Sequence, residues 1–199
     1  AGPVAAVLLS QRCLVVQRPA QSCRSCAVAC AVGAITIAER QVTVSRETCF
    51  GCGRCEAACR LDAIEMPGAD RSLPIPMATL ECGRVPLMLR RTGAIAVSCL
   101  GAISEHALLK YAADGGRKLV IVDRAWCENC AVGRCAAPWH DAVDKVRSLL
   151  DAMGRAGDLQ VEVLREPQPA VGPSILNPER LYVGCRVRPT MEINARVIS

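Results

Sequence analysis

The sequence is most informative at Cys49-Phe-Gly-Cys52-Gly-Arg-Cys55-Glu-Ala-Ala-Cys59, where four thiols follow the spacing C-x2-C-x2-C-x3-C. Glycines between the first three cysteines allow a short loop to approach a bound group closely. The fourth cysteine follows a predicted short helix and faces the other way. Thiolates in this pattern are ligands for soft metals, and a four-iron cluster takes one thiolate for each iron atom.

The same pattern occurs a second time, earlier in the chain. The stretch Cys23-Arg-Ser-Cys26-Ala-Val-Ala-Cys30-Ala-Val-Gly-Ala-Ile35 aligns with residues 52–64 at an offset of 29 residues, with three Cys, two Ala and one Ile in common. Between the copies, residues 35–37 and 41–44 alternate and contain β-branched side chains, which predicts a hairpin. Each repeat is therefore predicted to hold a Cys loop, a short helix near Ala27–Cys30 or Glu56–Cys59, and a strand.

Composition favours iron–sulfur clusters over the other uses of cysteine. The chain has 14 Cys among 199 residues and only 3% aromatic residues. Disulfide scaffolds are usually shorter and secreted, and zinc sites usually combine two C-x-x-C pairs or add His. The two His of this chain do not lie at ligand spacing from a Cys pair. Because cluster ligands are thiolates, the formal charge of +5 overstates the positive charge, and we expect no nucleic-acid partner.

No stretch of the chain predicts a membrane span or a catalytic centre. The apolar residues 4–9 are too few to cross a bilayer and lack the basic residues that precede a signal sequence. Phosphate-binding and dinucleotide-binding loops and a Ser–His–Asp set are absent from the sequence. Because the thiols must stay reduced, we expect a cytoplasmic, anaerobic setting.

Residues 4–66 resemble the bacterial two-[4Fe–4S] ferredoxin family, whose Cys spacing they share. The resemblance implies an α+β ferredoxin-like module with two clusters, in which the fourth Cys of each motif ligates the other cluster. Cluster A then takes Cys30, Cys49, Cys52 and Cys55. Cluster B takes Cys23, Cys26, Cys59 and one further thiolate.

The fourth ligand of cluster B departs from the family pattern. The repeat places Ala20 at the position that corresponds to Cys49, and Cys13 is the only Cys upstream. We assign Cys13 as that ligand, because the longer loop that this requires adds little closure entropy. The alternative is that Cys13 is a spare buried residue and that cluster B is a three-iron cluster or absent.

After a Pro-rich segment the sequence changes character. Strand patterns at residues 94–97, 119–122 and 160–164 alternate with a helix over 105–113, capped by Ser104, and a helix that begins at Pro138. This order predicts an α/β (βαβ) module with a parallel sheet. The predicted organisation is a two-cluster domain over 1–66, a linker over 67–77, the α/β domain over 78–165 and an extended tail over 166–199.

A third set of cysteines belongs to this α/β module. Two of its predicted strands are each followed by cysteines, Cys99 after the first and Cys127 and Cys130 after the next, and Cys82 precedes them. Carboxyl ends of parallel strands share one edge, so we expect these four thiols to converge there as cluster C, of [2Fe–2S] or [4Fe–4S] type. Cys135 is a possible substitute for Cys130, and zinc or no metal remains an alternative.

The stretch from Ile95 to Lys110, together with residues 116–130, is similar to the delta-subunit family of methyl-viologen-reducing hydrogenases. That resemblance implies a cluster-carrying subunit that passes electrons to a flavoprotein partner. We therefore expect an electron-transfer subunit of a hetero-oligomeric oxidoreductase, with a flavin, molybdenum or hydrogenase catalytic subunit as partner. The alternatives are a redox- or metal-sensing regulatory or maturation protein with structural clusters or zinc, and a catalytic subunit using Cys135 or Cys185.

A few other residues invite a role near the clusters. We predict that Trp126 and Trp139 shield cluster C from water. Arg124 and Arg134 are predicted either to offset cluster charge or to be solvated. His106 is predicted to be a solvated helix residue.

Overall fold

The computed structural model describes residues 5–18, 22–68, 73–127, 130, 132 and 138–167. The N-terminal elements are β1 (Val7–Leu8), α1 (Leu14–Gln17), α2 (Ser25–Ala29), β2 (Ile35–Ala38), β3 (Gln41–Val44), α3 (Arg54–Ala57) and β4 (Ile64–Glu65). The C-terminal elements are β5 (Met77–Cys82), β6 (Ile95–Val97), α4 (Glu105–Ala113), β7 (Lys118–Asp123), α5 (Pro138–Ala152) and β8 (Gln160–Arg165).

The hairpin predicted between the two Cys repeats is confirmed as β2 and β3. The strands are antiparallel, with Ile35 opposite Val44 and Ala38 opposite Gln41. Its turn residues Glu39 and Arg40 both have positive φ, 46° and 66°, as a two-residue turn between twisted strands requires. Alternation places Ile35 in the core and leaves its neighbour Thr36 exposed.

The two repeat helices begin earlier than predicted. α2 and α3 were expected near Ala27–Cys30 and Glu56–Cys59, and they lie at Ser25–Ala29 and Arg54–Ala57 instead. The reason is that the last Cys of each repeat follows its helix: Cys30 caps α2 with an extended backbone. That cysteine is thereby separated from the two that precede it.

A short antiparallel pair joins the start of the chain to the end of the second repeat. β1 pairs with β4, with Val7 opposite Glu65, so the apolar stretch near the N-terminus serves as a strand. One hydrophobic core lies beneath this pair and the hairpin. Its buried residues are Ala6, Cys13, Val15, Ile35, Val42, Cys55, Ala63, Ile64 and Met66.

The C-terminal part is a four-stranded, wholly parallel sheet with the order β6-β5-β7-β8. The predicted strands β6, β7 and β8 are confirmed, but β5 was missed. β5 lies between β6 and β7, so these two strands are parallel without being neighbours. The segment that the sequence presents as a linker up to residue 77 ends where β5 begins, at Met77.

The helices α4 and α5 cover this sheet. Ser104 caps α4 by accepting a hydrogen bond from the Ala107 amide at 3.1 Å, as predicted. The helices contact each other, and Val143, Val146 and Leu150 of α5 are buried in the sheet core. Leu149 and Met153, which share the helical spacing, are exposed. Within the described ranges, no helix has both the length and the apolar composition needed to cross a bilayer.

Candidate metal centres

The first Cys set, which consists of the cluster A residues Cys30, Cys49, Cys52 and Cys55, surrounds a cavity between the hairpin and α3. The cavity and the open solvent at its mouth together comprise about 330 Å³ of space that protein atoms do not fill. Its lining consists of four cysteines with mainly apolar neighbours: Cys30, Val32, Ala34, Ile35, Val44, Cys49, Phe50, Cys52, Gly53, Cys55 and Met66. The structure thus brings together all four residues that the sequence predicts for cluster A.

Burial favours the neutral thiol form of two members of this set, Cys52 and Cys55, in the metal-free chain. The pKa of Cys55 is raised to about 12, chiefly by burial and also by the neighbouring Cys52 and Cys49. Burial also raises the pKa of Cys52, against the opposing effects of the Arg54 amide and the Arg84 charge. Because metal ligands are thiolates, metal uptake here must release protons.

In each repeat, a backbone amide donates a hydrogen bond to the sulfur of the last cysteine. The Ala34 amide donates to Cys30 Sγ at 3.2 Å, and the Ala63 amide donates to Cys59 Sγ at 3.3 Å. The two donors occupy equivalent positions in the 29-residue repeat. Hydrogen bonds of this kind favour the thiolate and adjust the reduction potential of a bound cluster.

The second Cys set consists of Cys13, Cys23, Cys26 and Cys59, the residues predicted for cluster B. Burial raises the pKa of Cys26, and the nearby thiols of Cys23 and Cys59 add to the rise. These three residues pack against the N-terminal core, in which Cys13 is buried. The structure therefore places Cys13 in the core that the other three cysteines border. The corresponding repeat position, Ala20, lies outside the described residues.

The third Cys set, which consists of the cluster C residues Cys82, Cys99, Cys127 and Cys130, lies at the carboxyl edge of the parallel sheet. Cys82 ends β5, Cys99 follows β6 by two residues, and Cys127 follows β7 by four. Electrostatic effects show that these thiols are close together: the pKa of Cys127 is raised to about 11, chiefly by burial and also by Cys82, Asp123 and Cys130. The four thiols predicted for cluster C are thus neighbours, while Cys135 and Cys185 lie outside the described residues.

Cys82 reaches this edge by a route that the sequence analysis missed. It was taken to precede the first strand, whereas it is the last residue of β5. The strand pattern is hidden because Glu81 interrupts the apolar residues. Glu81 is fully buried and binds Arg124, with Arg124 Nε 2.6 Å from its Oε1 atom.

The first and third Cys sets lie side by side. The pKa of Cys99 is raised to about 12, chiefly by burial, and also by Cys82 of its own set and Cys52 of the first set. Gly53, at the start of α3, adjoins Ala102, whose Cβ would be 3.0 Å from a Cβ at residue 53. Sequence reasoning treated these sets as separated by a linker and gave no role to Arg54 or Arg84, although each is next to, or two residues from, a cysteine.

Four other residues singled out in the sequence have different outcomes. Arg124 is buried and binds Glu81 and Glu166, so it is neither solvated nor available to offset a cluster. Trp139 is fully buried in the sheet core, where its ring stacks on that of His140. His106 is exposed, as predicted, and Arg134 lies outside the described residues.

The donor chemistry of the three sets fits iron–sulfur clusters. In the part of the chain that the structure describes, no three His, Cys, Asp or Glu side chains converge tightly enough to hold a single metal ion. In a four-iron cluster each thiolate binds its own iron atom, so four thiols spaced around an apolar cavity are the suitable arrangement. The first set has this arrangement.

Comparison with known proteins supports this interpretation for the N-terminal part. A family model described as a 4Fe-4S dicluster domain matches residues 21–72 of the 199-residue chain. That segment is therefore a ferredoxin-like iron–sulfur domain, which binds 4Fe-4S clusters and has an electron-transfer function. No curated protein and no solved structure matches the chain.

Proposed function

We propose that the chain is an electron-transfer iron–sulfur protein that relays electrons between redox partners within a multi-subunit oxidoreductase. The observation that carries this proposal is the packing of the first Cys set beside the third: α3 contacts the turn at residues 100–102, and Gly53 adjoins Ala102. Cys52 also raises the pKa of Cys99. Two redox groups held in adjacent sites suit a relay better than two isolated structural sites. The dicluster match supports the redox chemistry of the first two sets.

The proposed ligands follow the three Cys sets. Cluster A takes Cys30, Cys49, Cys52 and Cys55; cluster B takes Cys13, Cys23, Cys26 and Cys59; cluster C takes Cys82, Cys99, Cys127 and Cys130. When bound, such clusters supply reversible one-electron oxidation and reduction.

The protein's own groups hold and tune these sites. The amides of Ala34, Ala63 and Gly101 donate to cysteine sulfur at 3.2 to 3.3 Å and so stabilise the thiolate form. The apolar lining of the first cavity, which includes Phe50 and Met66, excludes water and lowers the local dielectric.

The wider setting rests on the second resemblance. We infer a two-cluster domain over residues 1–66 and a cluster-carrying α/β domain over 78–165, similar to the hydrogenase delta-subunit family. The Cys set at the carboxyl edge of the parallel sheet supports this inference, because ligand sites form at such edges. The expected partner is a flavin, molybdenum or hydrogenase catalytic subunit in a cytoplasmic complex.

Iron analysis and electron paramagnetic resonance (EPR) of the anaerobically purified chain test the proposal. We expect about 10 to 12 iron atoms per chain and visible absorbance that dithionite bleaches reversibly. The Cys99→Ser variant should lose the third EPR signal and keep the other two. Cys185→Ser, at a cysteine assigned to no cluster, is the control and should keep all three.

Two results count against the relay. Zinc in the third Cys set, with no redox signal from it, favours a regulatory or maturation protein with a structural metal. A turnover with substrate that Cys135→Ser or Cys185→Ser abolishes favours a catalytic subunit.

A further inference from the structure

Two arginines lie where the first and third Cys sets meet, and each reaches out of its own segment. Arg54 begins α3 in the N-terminal part, and its Nη1 atom donates to the carbonyl of Val132, 2.6 Å away. Arg84 follows the end of β5, and its guanidinium carbon lies 5.5 Å from the centre of the Phe50 ring, within cation–π range. Arg54 of the N-terminal part thus contacts the C-terminal part, and Arg84 of the C-terminal part contacts the N-terminal part.

Burial makes both charges effective at short range. Arg54 is only 8% exposed, and Arg84 is half-buried with its Nε atom shielded from solvent. Charges in such positions are screened by salt much less than surface charges. A fixed positive charge here therefore acts on every anionic group that lies beside it.

Both arginines lie beside cysteines of both sets. Arg54 immediately precedes Cys55 of the first set and reaches Val132, two residues after Cys130 of the third. Arg84 is two residues after Cys82 of the third set and lies over Phe50, which follows Cys49 of the first.

Burial raises the pKa values of several thiols in the two sets, and the arginine charges oppose that rise. Arg84 does so at Cys52 in the first set and at Cys82 and Cys99 in the third. Arg54 opposes the rise at Cys52 in the first set and at Cys127 in the third.

We propose that Arg54 and Arg84 form a cationic clamp between the first and third Cys sets, which stabilises two adjacent anionic cluster sites and raises the reduction potentials of both. This inference rests on the function proposed above. Each site gains one negative charge when it accepts one electron from a donor, so a nearby cation favours the reduced form. Both residues are positioning residues, because they act through the ligands and through the boundary between the segments.

Redox titration of the full chain, reconstituted anaerobically with iron and sulfide and reduced with dithionite, tests the clamp by EPR. We expect Arg84→Gln and Arg54→Gln each to lower the ratio of reduced to oxidised cluster about tenfold at a fixed potential, at the first and third sites alike. That change equals about 59 mV for a one-electron couple. Arg84→Lys should restore most of it, because the charge is kept.

The control variant removes the same charge elsewhere. Arg155 precedes β8 at the opposite edge of the sheet and pairs with Asp158, so Arg155→Gln should leave all potentials unchanged. Unchanged potentials in both Arg84→Gln and Arg54→Gln, at wild-type iron content, overturn the clamp.

If Arg84→Gln or Arg54→Gln takes up less iron than the wild type, a further variant tests the clamp. Phe50→Leu keeps every cysteine and every charge but removes the ring beneath Arg84. A lower potential at the first and third sites supports the clamp, and unchanged potentials overturn it. A wild-type chain with no iron in the third set is a separate result, because it refutes the proposed function itself.

Discussion

At the scale of single residues, the third Cys set depends on the glycine between Cys82 and Arg84. The Gly83 amide donates to the Val97 carbonyl at 2.6 Å, which holds the end of β5 against the end of β6. A Cβ at Gly83 would lie 2.8 Å from that carbonyl oxygen, a separation that real Cβ atoms essentially never show. The obstacle is backbone, so a larger residue must displace one of the two strand ends.

We expect Gly83→Ala to lower the free energy of unfolding by about 1 to 3 kcal/mol, the usual cost of overpacking, and to reduce iron uptake at the third set. Denaturant unfolding and iron analysis measure the two effects. The control is Gly157→Ala, because a Cβ at Gly157 meets nothing within 4 Å. Equal effects of the two substitutions contradict the steric explanation.

The buried ion pair of Glu81 and Arg124 gives a second prediction at this scale. Their side chains are 0% and 5% exposed, and the Glu81 Oε2 atom also accepts from the Arg91 amide at 2.7 Å. Glu81→Gln removes the fully buried partner of Arg124 and leaves it only the partly exposed Glu166, so the substitution should cost about 3 kcal/mol in unfolding free energy. Asp114→Asn, which breaks the exposed Lys110–Asp114 pair, should cost less than about 1 kcal/mol. If Glu81→Gln lowers the free energy of unfolding by less than about 1 kcal/mol, the prediction is wrong.

The buried thiols of the third set predict an alkaline instability of the metal-free chain. Burial raises the pKa of Cys99 to about 12 and that of Cys127 to about 11 from an ordinary value of 9.0. The neutral thiols therefore contribute stability in full below pH 9, and it is lost as the pH rises through these values. Between pH 9 and its own raised pKa, each thiol lowers the free energy of unfolding by about 1.4 kcal/mol per pH unit. Cys99→Ala should reduce the slope of unfolding free energy against pH, and an unchanged slope contradicts the prediction.

At the scale of elements, the sequence predicts those helices and strands whose residue pattern is local. The hairpin β2–β3, the helix α4 with its Ser104 cap and the strands β6 to β8 all follow from patterns within a few residues. The strand β5 does not, because Glu81 gains its partner Arg124 only in the folded sheet. The strand predicted in the second Cys repeat is confirmed as β4, but its partner β1 was not predicted, since a two-residue strand exists only through its pairing.

Removal of the metal should affect the two cores unequally. The N-terminal core contains Cys13 and Cys55, and cysteines of the first two sets pack around it. The sheet core instead uses large residues such as Tyr111, Leu119 and Trp139. On anaerobic removal of iron by a chelator, we expect the amides of β2 and β3 to exchange hydrogen much faster, because cluster binding there is coupled to folding.

Hydrogen exchange followed by mass spectrometry measures this difference. The amides of β7, in the centre of the sheet, are the internal reference and should keep most of their protection. Uniform loss of protection in β2, β3 and β7 contradicts the expectation that the sheet is stable without metal.

At the scale of the whole molecule, the sequence predicts the members of each Cys set but not how the sets are arranged. Repeat spacing groups the cysteines of the ferredoxin-like part, and the carboxyl edge of a parallel sheet groups those of the third set. The proximity of Cys52 to Cys99, with Arg54 and Arg84 beside them, depends on packing between α3 and the turn at residues 100–102. No local pattern encodes such a contact.

Crystallographic anomalous scattering at the iron edge, on the anaerobically reconstituted chain, tests most directly whether three iron–sulfur sites exist and where they lie. We predict iron density at all three Cys sets, with the density at Cys82, Cys99, Cys127 and Cys130 adjacent to that bound by Cys52. Iron confined to the first two sets, or a third iron site away from the carboxyl edge of the sheet, would contradict this account.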